Sequence, residues 1–162
     1  MAKMYLMTGP SGAGKTTLAR ELVAQRNLKY MGIEDFYAYH FGSELIHEDE
    51  DEVWAEFEDA IRDAENTGID ILVDTNSPSR SDREWFIERF PNYVIFLVIV
   101  ECDPEICLFN NRNRERKIPE AEMRRILDSV EKVSEDEMEL YDSVELYRNS
   151  DNSGVKFISK LK

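Results

Sequence analysis

The chain has 162 residues, of which 42% are hydrophobic and 33% charged, and its formal net charge at pH 7 is −14. This length fits one domain with a single core, so we predict one domain over residues 1–162. The composition excludes a disordered chain, and the longest apolar run, YVIFLVIV, is far shorter than the roughly 20 residues needed to cross a bilayer. Because so acidic a surface repels nucleic acid at long range, an anionic ligand must be attracted by local groups.

The termini and cysteines indicate a cytoplasmic protein. MAKMYLMTG contains one lysine and then enters a glycine-rich loop, without the long apolar segment of a secretory signal. Cys102 and Cys107 are the only cysteines, and their C-x₄-C spacing is neither a zinc pattern nor a disulfide framework. We therefore expect two inert, reduced thiols.

Strands and helices are predicted to alternate along the whole chain. The strands are predicted at 4–9, 29–33, 69–76, 93–101 and 143–149. Helices are predicted after the glycine-rich loop, over 43–63, after Ser81 or Asp82 as the N-cap, from Pro104, and after Pro119. The last residues, GVKFISKLK, are compatible with a short strand or a docked end. This alternation predicts an α/β fold of three layers, with an open parallel sheet of about five strands and helices on both faces.

Residues 9–16, GPSGAGKT, match the phosphate-binding loop pattern G-x₄-G-K-[ST] at every fixed position. An apolar strand precedes the loop and a helical pattern follows it, which disfavours a chance glycine-rich turn. In such a loop, backbone N–H groups and the helix N-terminus bind phosphate oxygens, a lysine adds positive charge, and a hydroxyl binds Mg²⁺. The predicted ATP-binding residues of the loop are Gly9, Gly12, Ala13, Gly14, Lys15, Thr16 and Thr17.

Two carboxylates follow predicted strands, where an open α/β sheet offers its ligand crevice. Asp35 can accept the proton of an attacking hydroxyl, although an acid capping the next helix is the alternative. Asp74 ends the strand ILVD and can hold Mg²⁺ or orient a neighbour, although it could also be a helix cap or turn residue. The sequence contains neither N-K-x-D nor a D-x-x-G after the third strand, so a GTPase switch is not predicted.

Four segments in this order resemble the kinase domain of phage-type 5′-polynucleotide kinases: GPSGAGKTT, EDFY at 34–37, VDTN at 73–76 and RNRER at 112–116. The resemblance implies a P-loop kinase fold in which ATP·Mg²⁺ is bound and a short lid at about 111–119 carries arginines. It implies that Lys15, Asp35 and Arg116 are catalytic, with Asp35 as the general base and Arg116 on the transferring phosphate. Arg112 matches the start of the lid motif and would also contact ATP.

On the acceptor side, the resemblance assigns Asp74, and Asn76 lies beside it in the same loop. Ala38 stands where the family usually carries an arginine that clamps a phosphate of the polynucleotide. We expect Arg80 or Arg83 to supply that contact instead. The resemblance leaves Arg114 peripheral. The simpler alternative for Arg114, Arg116 and Lys117 is a cationic helix end, where they meet the dipole of the helix that begins near Pro104.

Together these features predict an ATP-dependent kinase with an alcohol acceptor. The sequence favours a nucleic acid acceptor, either a 5′-hydroxyl or a hydroxymethylated base. The alternative is a small molecule such as a nucleoside, nucleotide, sugar or antibiotic, which fits the acidic surface better. A third hypothesis is a nucleotide-binding module without catalysis.

Overall fold

The computed structural model describes residues 1–41, 50–115 and 117–162. Its centre is one six-stranded sheet. The strands are β1 (Lys3–Thr8), β2 (Lys29–Gly32), β3 (Ile71–Asp74), β4 (Val94–Cys102), β5 (Ser143–Asn149) and β6 (Lys156–Lys160). Their order across the sheet is β2-β3-β1-β4-β5-β6, and β6 alone runs antiparallel to its neighbour.

Seven helices are described in these residues. They are α1 (Lys15–Arg26), α2 (Ile33–Phe41), α3 (Glu50–Thr67), α4 (Arg80–Arg89), α5 (Pro104–Arg112), α6 (Glu120–Asp128) and α7 (Glu135–Met138). No helix in the described part of the chain is long and apolar enough to cross a membrane.

The hydrophobic core lies on both faces of the sheet, because successive side chains of a strand point to opposite faces. On β3, Ile71 and Val73 belong to a cluster that includes Phe57 of α3 and Phe86 of α4, whereas Leu72 faces the cluster formed by α1 and α5. Because both faces of the sheet are covered, the sequences of its parallel strands are continuous apolar runs rather than alternating ones. The predicted three-layer α/β fold is therefore confirmed, with a sixth, antiparallel strand built from the C-terminal residues.

Two helix boundaries differ from the sequence prediction. Ser79, rather than Ser81 or Asp82, is the N-cap of α4: its hydroxyl accepts from the Asp82 N–H, while the Asp82 carboxylate accepts from the Ser79 N–H. Three cap-type residues within four positions, Ser79, Ser81 and Asp82, made the choice ambiguous, and this reciprocal pair decides it. Helix α3 is described from Glu50, and the part predicted from residue 43 lies outside the described residues. It ends at Thr67, four residues beyond the predicted end at residue 63, and Gly68, with a φ of 72°, follows it.

The strand register brings the predicted site segments to one edge of the sheet. Gly32 is paired with Asp74, and Leu6 with Val73, so β1, β2 and β3 end side by side. The phosphate loop follows β1 and α2 follows β2 without a connecting loop. The carboxyl edge of three parallel strands therefore carries the candidate site.

Candidate active site

The phosphate loop has a backbone that only glycine accommodates at its centre. Gly12 and Gly14 have φ values of 83° and 91°, in the left-handed region that disfavours side chains. A Cβ added to Gly12 would lie 2.6 Å from the Cys107 carbonyl oxygen of α5. Helix α1 begins directly afterwards at Lys15, so its free N–H groups face the cavity above the loop.

Lys15 is joined to the segment that follows β3. Its Nζ lies 3.0 Å from Asn76 Oδ1 and 3.3 Å from Asp74 Oδ1, and the residue is only 8% exposed. The Ser11 hydroxyl lies 3.4 Å from the same Asn76 oxygen, and the Gly9 N–H donates to the Asn76 carbonyl. Loop and segment therefore form one constellation around the lysine.

Asp74 is the centre of a second group of contacts. The Thr16 hydroxyl donates to Asp74 Oδ2 at 3.2 Å, and the Tyr30 hydroxyl donates to the same oxygen at 2.6 Å. Burial first, and then the nearby Asp74 carboxylate, raise the pKa of Tyr30, so the phenol keeps the proton that it donates. Tyr30 was not among the residues expected from sequence, since only the register of β2 against β3 places it beside Asp74.

The donor set fits a magnesium ion. Thr16 Oγ1 and the Asp74 carboxylate offer hard oxygen ligands next to the phosphate loop, and Mg²⁺ is typically bound by one or two such side chains together with water and substrate phosphates. These two residues would hold the metal.

A cavity of about 320 Å³ opens above these residues. Its volume lies in the range of small-molecule sites. The expected site residues that line it are Gly12, Gly14, Lys15, Thr16, Thr17, Asp74 and Asn76. It is also lined by residues that were not among the expected ones, including Tyr30, Ile33, Glu34, Tyr37, Asn110 and Arg114.

The two carboxylates in the first turn of α2 differ in their relation to the cavity. Asp35 is exposed in the first turn of α2 and does not line the cavity. Its neighbour Glu34 lines the cavity itself. The general-base role of Asp35 stays a prediction, with Glu34 as a rival that the sequence did not single out.

The lid arginines are arranged differently from the expectation. Arg112, at the end of α5, is exposed and ion-paired with Glu120 of α6, and it does not line the cavity. Arg114 does line it, and its Nε is buried with no hydrogen-bond partner among residues 1–41, 50–115 and 117–162. Arg116 lies outside the described residues. Arg114, expected to be peripheral, therefore takes the place in the site that was assigned to Arg112.

Arg80 and Arg83 are engaged elsewhere. Arg80 Nε lies 2.7 Å from Glu84 and its Nη1 lies 2.9 Å from Asp136. Arg83 is fully buried and forms a bidentate pair with Glu137. Neither lines the cavity above the phosphate loop. We therefore replace the acceptor contact expected for Arg83 by a structural role, since its guanidinium cannot reach a ligand.

Solved structures with similar folds include several kinases. A sugar kinase from Janibacter sp. HTCC2649 has a TM-score of 0.68 at 17% identity, over 91% of this chain and 86% of that one. A structure of the PezAT chromosomal toxin-antitoxin system of Streptococcus pneumoniae has 0.65 at 16%, over 99% and 72%. A chain of the Pnkp1/Rnl/Hen1 complex has 0.63 at 16%, over 73% and 41%. At these identities the likeness shows the fold alone.

A search of the curated proteins finds no match to this chain. A family model described as an AAA domain matches residues 4–133, which contain the phosphate loop, Asp35, Asp74 and the lid. The match spans most of the chain. The chain therefore belongs to this AAA domain family and has the P-loop kinase fold.

Proposed function

We propose that the protein is a kinase that transfers the γ-phosphoryl group of ATP, bound with Mg²⁺, to a hydroxyl group. The observation that carries the proposal is that Lys15, Thr16, Asp74 and Arg114 converge on one cavity above a phosphate loop. A phosphate loop alone would also suit a nucleotide hydrolase. The acids in the first turn of α2, of which Glu34 lines the cavity, supply the general base that transfer to a hydroxyl needs.

On the donor side, the chain neutralises and orients a triphosphate. The loop N–H groups bind its oxygens, and Lys15 exchanges contacts with Asp74 and Asn76 for contacts with the transferring phosphate. The buried, unpartnered Nε of Arg114 is positioned to donate to an anion in the cavity. Bound Mg²⁺, on Thr16 and Asp74, supplies further charge compensation.

On the acceptor side, Asp35 is the proposed base and takes the hydroxyl proton as the oxygen attacks. Glu34 is the control for this assignment, because it lies one residue away and lines the cavity. We expect Asp35→Asn to retain ATP affinity and to lose γ-phosphoryl transfer, while Glu34→Gln retains transfer. Both are measured with γ-labelled ATP and a pool of hydroxyl compounds. Near-normal transfer by Asp35→Asn together with loss in Glu34→Gln would move the base to Glu34.

Between the two acceptor classes, the geometry favours a small molecule over the nucleic acid predicted from sequence. Glu34 lies on the cavity wall beside Tyr37 and Ile33, and the chain contains no lysine or arginine between Lys29 and Arg62. A polynucleotide needs cations along its backbone. With Ala38 at the expected clamp position and Arg80 and Arg83 engaged elsewhere, this side offers none in the described residues.

Nucleic acid remains the second candidate because the VDTN and RNRER segments occur in the order of polynucleotide kinases. A salt series separates the two candidates. The affinity for a 5′-hydroxyl oligonucleotide should fall steeply with salt, whereas that for a neutral sugar or nucleoside should hardly change. Acceptor KM measured between low and physiological salt therefore identifies the class.

A further inference from the structure

The most deeply buried charge pair of the described residues lies behind the candidate site rather than in it. Arg83 of α4 and Glu137 of α7 are 0% and 1% exposed, and their two hydrogen bonds are both 2.7 Å long. The Tyr141 hydroxyl donates to Glu137 at 2.7 Å. Since a buried ion pair contributes little net stability after desolvation, its contacts with the rest of the chain matter more than its own attraction.

The remaining donors of Arg83 are directed at backbone next to the site. Its Nη1 lies 3.0 Å from the Pro78 carbonyl and 3.3 Å from that of Ser77, and its Nη2 lies 3.1 Å from the Glu131 carbonyl. These carbonyls lie outside helices and strands. The Pro78 carbonyl also accepts from the Glu131 N–H at 2.7 Å, so one backbone hydrogen bond joins the two segments beside Arg83. Together with this backbone hydrogen bond, the planar guanidinium of Arg83 holds the loop after β3 against the chain after α6.

The segment held in this way carries two residues of the site. Ser77 has a φ of 39°, an unfavourable value for a residue other than glycine, so the surrounding contacts must maintain it. The same Ser77 carbonyl accepts from the hydroxyl of Thr8, which directly precedes the phosphate loop. Asn76, one residue before Ser77, accepts a hydrogen bond from Lys15 Nζ, and Asp74 accepts one from the Thr16 hydroxyl.

We propose that Arg83, held by Glu137 and Tyr141, is a positioning residue that sets where Asp74 and Asn76 meet the phosphate loop. The inference rests on the proposed function, because it gives Asp74 its role towards Mg²⁺. Arg83 does not touch the ligand. It acts by holding the Ser77 and Pro78 carbonyls, and a displacement of this segment would move the carboxylate away from Thr16 Oγ1.

The decisive variant is Arg83→Lys, which keeps the positive charge beside Glu137. A lysine places its donors at one point and cannot span Glu137 and the three carbonyls together. Tyr141→Phe is the milder second variant, because it removes only the hydrogen bond that orients Glu137. Arg26→Lys is the matched control: Arg26 and Glu145 form another bidentate pair, at the far end of α1, about 16 Å along the helix from Lys15.

The readout is ADP affinity measured by calorimetry with and without Mg²⁺, together with kcat and KM, all below the unfolding transition of each variant. For Arg83→Lys we expect an unchanged ADP affinity in the absence of Mg²⁺. Most of the increase in ADP affinity that Mg²⁺ brings should be lost, and kcat should fall by about 100-fold. Tyr141→Phe should change both in the same direction by a smaller factor. Arg26→Lys should leave both at the wild-type values.

The proposal would be overturned if Arg83→Lys unfolded at a lower temperature but kept the wild-type kcat and the wild-type increase in ADP affinity on adding Mg²⁺. The ion pair would then be structural only. If Arg83→Lys does not fold, the same comparison on Tyr141→Phe decides. If the wild type binds Mg²⁺ and ADP but phosphorylates no hydroxyl, the kinase assignment fails. The Mg²⁺ gain still tests the positioning role in that case.

Discussion

The two sides of the cavity are built from different chemistry. The donor side consists of loop backbone, Lys15 and Arg114, which are suited to phosphate whatever nucleotide carries it. The proposed acceptor side consists of Tyr30, Ile33, Glu34 and Tyr37, a mixture of apolar surface and acid. The difference teaches that binding a triphosphate demands a fixed arrangement of donors, whereas an acceptor site follows the shape and charge of one particular compound.

The largest effect should come from the donor side. Lys15→Met removes the point charge on the transferring phosphate, and we expect kcat to fall by about 100- to 1,000-fold. The matched control is Lys29→Met, which changes an exposed lysine at the start of β2, on the opposite edge of the sheet. Steady-state kinetics of both variants check the prediction. Equal losses in the two would show that net charge, rather than position, matters.

The lid arginines provide a finer comparison on the same side. We expect Arg114→Met to lower kcat by about 10- to 100-fold, because its guanidinium lines the cavity. Arg112→Met should change kcat by less than about 2-fold, because its exposed pair with Glu120 contributes little. Kinetics at saturating ATP measure both. The reverse ranking would restore the assignment made from the lid motif.

Tyr30 joins the two sides through its hydrogen bond to Asp74. Tyr30→Phe leaves the ring in the cavity and removes only the donated proton. We expect it to lower kcat by about 3- to 10-fold, corresponding to the typical net contribution of one hydrogen bond, and to raise the Mg²⁺ concentration needed for half-maximal activity. A Mg²⁺ titration of the variant and the wild type measures this shift. An unchanged requirement would mean that Tyr30 does not orient the carboxylate.

The smallest predicted effect is the pH dependence of folding stability that Glu137, the ion-pair partner of Arg83, contributes. Burial raises the pKa of the Glu137 carboxyl, but the hydrogen bonds from Arg83 and Tyr141 outweigh it and hold the pKa below its ordinary value. The unfolded chain thus binds this proton at higher pH than the folded one. The resulting stability is complete above about pH 4.3 and is lost as the pH falls through the lower folded value.

The Glu137→Gln variant should therefore not lose the stability that the wild type loses when Glu137 is protonated, because a glutamine side chain does not titrate. Urea unfolding between pH 3 and 6 measures it as the difference in unfolding free energy between variant and wild type, which should narrow below about pH 4.3. A difference that stays constant over this range would show that Glu137 does not titrate as described.

What could be predicted from the sequence depends on whether local spacing or the packing of distant segments sets the place of a residue. The loop residues and Asp74 were predictable because a phosphate loop imposes local spacing and strand ends lie at one edge. Tyr30 and Arg114 were not, because their places depend on the β2–β3 register and on the path of the chain after α5. Arg83 misled the prediction, since an arginine that satisfies buried carbonyls has the same local pattern as one that faces a ligand.

The most direct test of the kinase assignment is label transfer by the wild-type protein from γ-labelled ATP to a pool of hydroxyl compounds, with and without Mg²⁺. The pool contains nucleosides, sugars, amino alcohols and a 5′-hydroxyl oligonucleotide, and the products are separated by size and charge. The account predicts that the label appears on a hydroxyl compound only when Mg²⁺ is present. Release of the label as inorganic phosphate alone, or no loss of label from ATP, would contradict it.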